Sequence, residues 1–215
     1  GRDATDWLFE IGEYSKTIGE QPNPKLTESK TNHYLSGRNG GHEIDLREFA
    51  LKGLKLYGSV CNMNENQIQF KKDLNKNLDR ADESYLRICK MIDDYIDTKN
   101  LDAPKKPHFE KKWFPTIETE FLNTKEENIT SILWCTGFKT DYSWLKIDCL
   151  DSTGRPIHQR GVSNEQGLYF LGLNWLHTWG SGRFLSVAED AEFLVKNIKE
   201  NLSSIENTTS CYLSA

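Results

Sequence analysis

Ser131-Ile-Leu-Trp-Cys-Thr-Gly137-Phe138 is followed by Gly167-Leu-Tyr-Phe-Leu-Gly172, and then by Trp175-Leu-His-Thr-Trp-Gly-Ser-Gly182, which runs into a long amphipathic segment. The first two stretches read as short apolar strands ending in glycine, and the third as the approach to a helix. Open α/β sheets present strand ends and a helix N-terminus in this way to anionic, phosphate-bearing or electron-accepting ligands. The expected opening residues of the helix, from Ser181 to Leu185, carry no carboxylate; Glu189 and Asp190 come only later. The positive end of the helix dipole is therefore expected to lack a counter-charge. Glycines on either side of Ser181 would let a planar ligand reach the backbone without meeting a Cβ. The alternative is that Ser181 is a capping residue and the glycines make a turn.

Working outward, Ile132, Leu133, Trp134 and Cys135 are consecutive apolar residues, which predicts a strand over 129–138 buried on both faces. Trp144 to Leu150 meets the turn Asp151-Ser-Thr-Gly154, predicting a short hairpin excursion, and 168–171 is a last strand. A helix over 182–202 carries Phe184, Ala188, Ala191, Val195, Ile198 and Leu202 on one stripe, and 203–215 is a polar tail expected to be flexible. Upstream, Leu74, Leu78, Ala81, Tyr85, Ile88, Ile92, Tyr95 and Ile96 recur at helical spacing, so 73–99 is one amphipathic helix. It suits an outer helix laid on its own domain, or a surface for a partner. Asn100 and the prolines at 104, 107 and 115 mark a linker. Nearer the start, 5–12 is a short helix with Trp7, Leu8 and Ile11 on one face, and 19–41 is a long loop punctuated by Pro22, Pro24 and glycines. Asp45 caps a helix reaching Lys52, Leu54 to Val60 alternates as a strand, and Gln67 to Phe70 returns as a hairpin.

With 215 residues, 37% hydrophobic and 27% charged, the chain has the composition of a polar-surfaced globular protein large enough for a real core. A net charge of −5 offers no basic field for a phosphate backbone, so nucleic acid is not an expected partner. No apolar run reaches the roughly 18 residues that span a bilayer, and the first residues do not form a signal peptide; a cytoplasmic setting without membrane contact is expected. The five cysteines lack paired spacing, as do the five histidines, so reduced thiols and no metal site are expected. Three Asn-x-Ser/Thr matches, at Asn128, Asn201 and Asn207, are read as chance.

Cys135-Thr-Gly-Phe138 resembles the Ala-Thr-Gly-Tyr/Phe motif of flavin-dependent monooxygenases, with cysteine in the place of alanine. The blocks Gly137 to Leu145, Asp151 to His158, Arg160-Gly-Val162 and Gly167 to Ser181 are similar to the C-terminal half of the CzcO-like branch of that family. Leu35 to Arg47, Leu54 to Gly58 and Asp73 to Leu78 fit the same branch.

The resemblance implies an α/β protein, part of a Rossmann-like fold with two dinucleotide-binding domains, serving an FAD- and NADPH-dependent oxidoreductase, in particular a monooxygenase. Residues 1–115 would be the remainder of the NADPH-binding domain, 116–202 the C-terminal part of the FAD-binding domain, and 203–215 a tail. Gly172, Trp175, His177, Thr178, Gly180, Ser181 and Gly182 would lie against the flavin. Thr136 and Gly137 would sit where the two domains meet, and Arg38 would face NADPH phosphate. No residue stands out as acid, base or nucleophile; His177 is nearest to the expected flavin face, with packing as its other role.

Neither Gly-x-Gly-x-x-Gly fingerprint is present, since Ser36 to Gly41 and Gly180 to Arg183 have the wrong spacing. The expectation is a C-terminal fragment that does not hold FAD tightly alone, because the pyrophosphate cradle is missing. Its expected partners are the upstream FAD- and NADPH-binding portion, a small-molecule substrate and, as an option, a second copy in a homodimer. Two other classes stay open: a stand-alone interaction module using helix 73–99, and a small-ligand-binding module without redox chemistry.

Overall fold

The structure is a computed structural model and describes residues 2–24, 27, 35–36, 42–104, 109–138, 140–184 and 186–213. In chain order its elements are α1 (Ala4–Ile11), β1 (Leu35–Ser36), β2 (His42–Glu43), α2 (Leu46–Leu51), β3 (Val60–Met63), β4 (Gln67–Phe70), α3 (Leu74–Lys99), β5 (Phe121–Asn123), β6 (His158–Gln159), β7 (Val162–Ser163) and α4 (Val187–Leu213). The mixed α and β class is as expected. The parallel sheet of a Rossmann-like fold is not found among the described residues, where every strand pair and isolated bridge is antiparallel. The contacts divide the chain into two units, Gly1–Thr31 with Phe138–Ala215, and Asn32–Gly137. These are sets of residues that pack together.

In the unit Asn32–Gly137, Asp45 caps α2 by accepting from the backbone N–H groups of Arg47 and Glu48. The alternation of Leu54 to Val60 does not make a strand, and β3 begins only at Val60. Gly58 explains part of this: a Cβ there would stand 2.0 Å from the Lys71 carbonyl, so the chain passes too close to its neighbour for a side chain. The order β3-β4-β5 forms an antiparallel sheet, with Ile68 opposite Met63 on one side and Leu122 on the other. Ile68, Phe70, Leu74 and Leu78 are its buried apolar residues, and Tyr57 stacks on Phe70 at 4.7 Å. Helix α3 matches the periodicity and ends at Asn100 in the left-handed conformation. Only its first turns are fully buried; the later stripe is half-buried.

Arg47 is buried and ties three segments together. Its guanidinium donates to Asp79 and Asp82 of α3 and to the Trp113 carbonyl. Lys111 also reaches Asp79, at 2.8 Å.

The strand expected over 129–138 is a correction. After the Ile129 N–H donates to Thr124, no backbone hydrogen bond joins residues 130–138 to another described residue. The segment is exposed throughout, Leu133 at 87% and Trp134 at 56%. An apolar run becomes a buried strand only when neighbouring strands and covering layers exist, and no described segment supplies them.

In the unit Gly1–Thr31 with Phe138–Ala215, Asp3 caps α1 and Gly12 closes it at φ 87°. Around Asp151 the expected turn forms: its carboxylate accepts from the N–H groups of Thr153 and Arg155, and Leu150 bridges to Pro156. Strands β6 and β7 then form a two-residue hairpin through Arg160 and Gly161, both at positive φ, the geometry that matches strand twist. The strand expected at 168–171 reduces to one bridge, Val162 to Tyr169, flanked by bonds from the Phe170 N–H to the Gly161 carbonyl and from the Ser163 N–H to the Leu168 carbonyl. Cys149, Phe170 and Leu176 are the core, with Leu145, Leu150, Leu168 and Leu173 packed on it. Helix α4 corrects two boundaries: it starts at Val187, not 182, and continues through the expected flexible tail to Leu213.

Candidate functional site

Residues 174–190 hold most of the candidate residues, and the later start of α4 changes their electrostatics. Because the helix opens at Val187, Glu189 and Asp190 stand in its first turn. The positive end of the dipole is already met by the chain's own carboxylates, which overturns the expectation of a bare terminus.

Ser181 is fully buried and is used internally. Its Oγ accepts from the backbone N–H groups of His177 at 3.1 Å and Thr178 at 2.9 Å, so it caps the turn that precedes the helix. Neither reading open from the sequence is found as stated: with the helix starting at Val187, Ser181 does not cap it, and its Oγ instead closes the 177–181 turn on the upstream side. A Cβ at Gly180 would stand 2.1 Å from Ser186 Oγ, and one at Gly182 would stand 2.4 Å from Asn174 Oδ1. Both glycines are therefore required by close approach of the chain to itself.

The N-terminal segment packs against the same turn. Ile18 donates its N–H to the His177 carbonyl at 2.8 Å, and Thr17 bridges to Thr178. Tyr14 stacks on Trp179 with ring centroids 4.5 Å apart and planes 10° apart, and the Arg183 guanidinium lies 4.8 Å from the Trp179 ring. Sequence reading missed this contact, because nothing local to 14–20 signals a partner so far along the chain.

His177 is half-buried, and burial pushes its imidazole below the ordinary value. The Arg160 cation adds to that, while Asp190, Glu189 and Glu20 oppose it. Asp190 itself is buried, with the Arg160 Nε 3.7 Å from its Oδ1 and the guanidinium 4.2 Å from the Phe193 ring. Among the described residues, Arg160 Nε and Asp190 Oδ2 have no hydrogen-bond partner. The pair sets a half-buried guanidinium beside a buried carboxylate, short of full contact, and it was not legible in the sequence.

Gly172 is exposed at φ 79° with open space where a Cβ would stand, and Trp175 is half-buried at φ 57°. Of the candidate residues in this unit, Gly172 is the one at which the backbone faces open space. Thr136 and Gly137 are exposed and belong to the other packing unit, Gly137 also facing open space. Arg38 lies outside the described residues. In the unit Asn32–Gly137 an open cleft of about 780 Å³ is lined by Leu54, Tyr57, Trp113, Ile117 and Phe121, with Lys55 and Glu127 paired at its edge. Among the described residues no group of three or more His, Cys, Asp or Glu is placed to hold a metal ion, and no helix is long and apolar enough to cross a membrane.

Comparison with known proteins finds similarity over roughly a third of the chain. An uncharacterized oxidoreductase CzcO-like of Geobacillus kaustophilus is 46% identical over 79 residues, 36% of this chain and 23% of that protein. The uncharacterized oxidoreductases CzcO of Bacillus velezensis and Bacillus subtilis are 45% and 43% identical over 82 residues, 38% of this chain and 24% of each relative. This chain is similar to CzcO-like oxidoreductases. It spans about a quarter of the length of the curated relatives it matches. No family model and no solved structure matches it.

The residues present do not by themselves fit a flavin. The backbone at 180–182 is filled by Ser186 and Asn174, Ser181 Oγ is spent on its own turn, and the helix start already carries two carboxylates. What remains open is the edge at Gly172 and Trp175.

Proposed function

We propose that this chain is the later portion of a CzcO-like oxidoreductase that uses FAD and NADPH, acting as a monooxygenase on a small molecule. The observation that carries this reading is the 43–46% identity to relatives named as oxidoreductases. In it, 1–115 belongs with the NADPH-binding domain and 116–202 with the FAD-binding domain. FAD, when bound, supplies the redox chemistry, and this chain shapes one wall beside it. Gly172 and Trp175 form its edge, and Thr178, Gly180, Ser181 and Gly182 hold that wall rigid; in the other packing unit, Thr136 and Gly137 are the candidates for the nicotinamide. Burial lowers the pKa of His177 and so favours its neutral ring, which can donate or accept at that wall.

On this reading the isolated chain is colourless after mixing with FAD and desalting, since it lacks a pyrophosphate cradle. Stoichiometric flavin absorbance retained by the chain alone contradicts that. The reading itself is tested in a chimera in which this chain replaces the corresponding region of the Geobacillus kaustophilus relative. A folded, flavin-loaded chimera is expected to oxidise NADPH; one that binds flavin and leaves NADPH untouched sinks the proposal.

A further inference from the structure

Residues 13–20 lie along the turn that precedes α4 as a strap. They fold into the 3-10 turns Glu13–Ser15 and Ile18–Glu20, the latter closed by a capping box in which Glu20 accepts from the N–H and the hydroxyl of Thr17. The Ile18 N–H donates to the His177 carbonyl, Thr17 bridges to Thr178, and buried Tyr14 stacks on Trp179. One bridge, one bond and one ring pair can open without unfolding the core of Cys149, Phe170 and Leu176.

His177 sits where the strap is fastened. Its carbonyl is held by the strap and its N–H by Ser181 Oγ, so the backbone is fixed on both sides of a half-buried imidazole. A protonated ring carries a donor on each nitrogen and needs water or an acceptor at both. To turn outward it must give up one of those two backbone bonds. Ser181 is fully buried and accepts from Thr178 as well, whereas Ile18 is only half-buried, so the strap's bond is the one that gives.

The surrounding charges do not cancel this. Arg160 of the β6–β7 turn repels an imidazolium, while Asp190 and Glu189 of α4 and Glu20 of the strap attract it; burial together with Arg160 outweighs the three carboxylates. The other charges on these segments are engaged elsewhere: Lys16 pairs with Glu13, and the Arg183 guanidinium lies over the Trp179 ring. Thr17 holds the Glu20 carboxyl below the ordinary carboxylate range, so Glu20 stays charged while the histidine titrates.

We propose that residues 13–20 are a proton-released strap, closed over the 177–181 turn while His177 is neutral and lifted from it when the ring takes up a proton. Its consequence rests on the oxidoreductase reading above, in which 177–181 belongs to the wall beside the flavin and release uncovers one side of that wall. The strap itself is read on this chain with neither flavin nor NADPH.

Amide exchange on the full chain, expressed as protection against the intrinsic rate at each pH, reports the strap through Ile18. Between about pH 7.5 and about pH 5.5 this protection is expected to fall roughly threefold to tenfold, tenfold being the ceiling that one pH unit below ~6.5 allows. The exchange is expected to depend little on sub-denaturing urea, as a local opening exposes little surface. His177→Gln is expected to keep Ile18 protected at both pH values. Linkage requires the reverse effect as well. Ile18→Pro removes the fastening N–H at the first position of a 3-10 turn, and Thr17 already has the ψ of 159° that a following proline favours. In this variant the His177 C2 proton, followed by NMR, is expected to titrate closer to ~6.5 than in the unsubstituted chain. Equal Ile18 protection at the two pH values overturns the proposal, as does a fall that persists in His177→Gln. A fall carried by the full urea slope of global unfolding does the same, since the whole unit then opens rather than the strap. If His177→Gln does not fold, judged by circular dichroism, the Ile18→Pro titration decides: a midpoint left where the unsubstituted chain has it shows that strap and ring are not coupled. None of these results bears on the oxidoreductase reading, which the chimera tests separately.

Discussion

At Gly161 two constraints coincide: a φ of 84° and a Cβ position 2.3 Å from the Phe170 carbonyl. Gly161→Ala is expected to lower stability by about 2 kcal/mol or more, read as a shifted urea midpoint at constant slope. Ser181→Ala leaves two N–H groups at a buried turn without their acceptor, and about 1–3 kcal/mol is expected to be lost in the same assay. His177 gives a pH dependence. Its folded-state pKa lies below the unfolded value of ~6.5, so the fold favours the neutral ring. The stability this contributes is fully present above the unfolded pKa and is lost as pH falls towards the folded one. His177→Gln is therefore expected to flatten the stability profile below about pH 6.5. An unaltered slope in urea titrations across that range refutes the assignment. The lowered pKa values of Asp73, Asp79 and Asp151, each held by hydrogen bonds, act at more acid pH and are untouched by the substitution.

Among the elements, α2, α3 and the segment around Trp113 depend on one side chain. Arg47→Met removes the buried cation facing Asp79 and Asp82 and is expected to cost about 2–3 kcal/mol, because Asp82 and the Trp113 carbonyl lose their donor while Lys111 still pairs with the more exposed Asp79. Arg47→Lys is expected to recover little of this, since an ammonium cannot reproduce the fork that reaches both carboxylates and the Trp113 carbonyl. Chemical denaturation of both variants checks this, and full recovery by lysine would show that charge alone matters. Helix α4 carries the opposite lesson. Its start at Val187 brings Glu189 and Asp190 into the first turn, and a shift of a few residues reverses the electrostatic character of the 181–186 region. Periodicity fixes that a helix exists far better than it fixes where its dipole begins.

For the whole molecule the dominant quantity is the exposed apolar surface. The isolated chain is expected to bind the dye 1-anilinonaphthalene-8-sulfonate strongly, and most of that fluorescence is expected to vanish in the folded chimera; equal fluorescence in both would mean that the exposed residues are not what a larger polypeptide covers. The sequence by itself determined the local events: the Asp45 cap, the Asp151 turn, the Gln67–Phe70 hairpin and the 26-residue helix α3. Each is set by interactions within a few residues, through capping oxygens, positive-φ glycines and apolar spacing. It also carried the resemblance to CzcO-like oxidoreductases. Only the tertiary structure decided whether 129–138 was paired, what Gly180 and Gly182 made room for, and that Tyr14 meets Trp179 and Arg160 meets Asp190. Those depend on which distant segments arrive as neighbours, and an apolar run or a glycine reads the same along the chain whether its neighbour is a ligand, another strand or its own backbone.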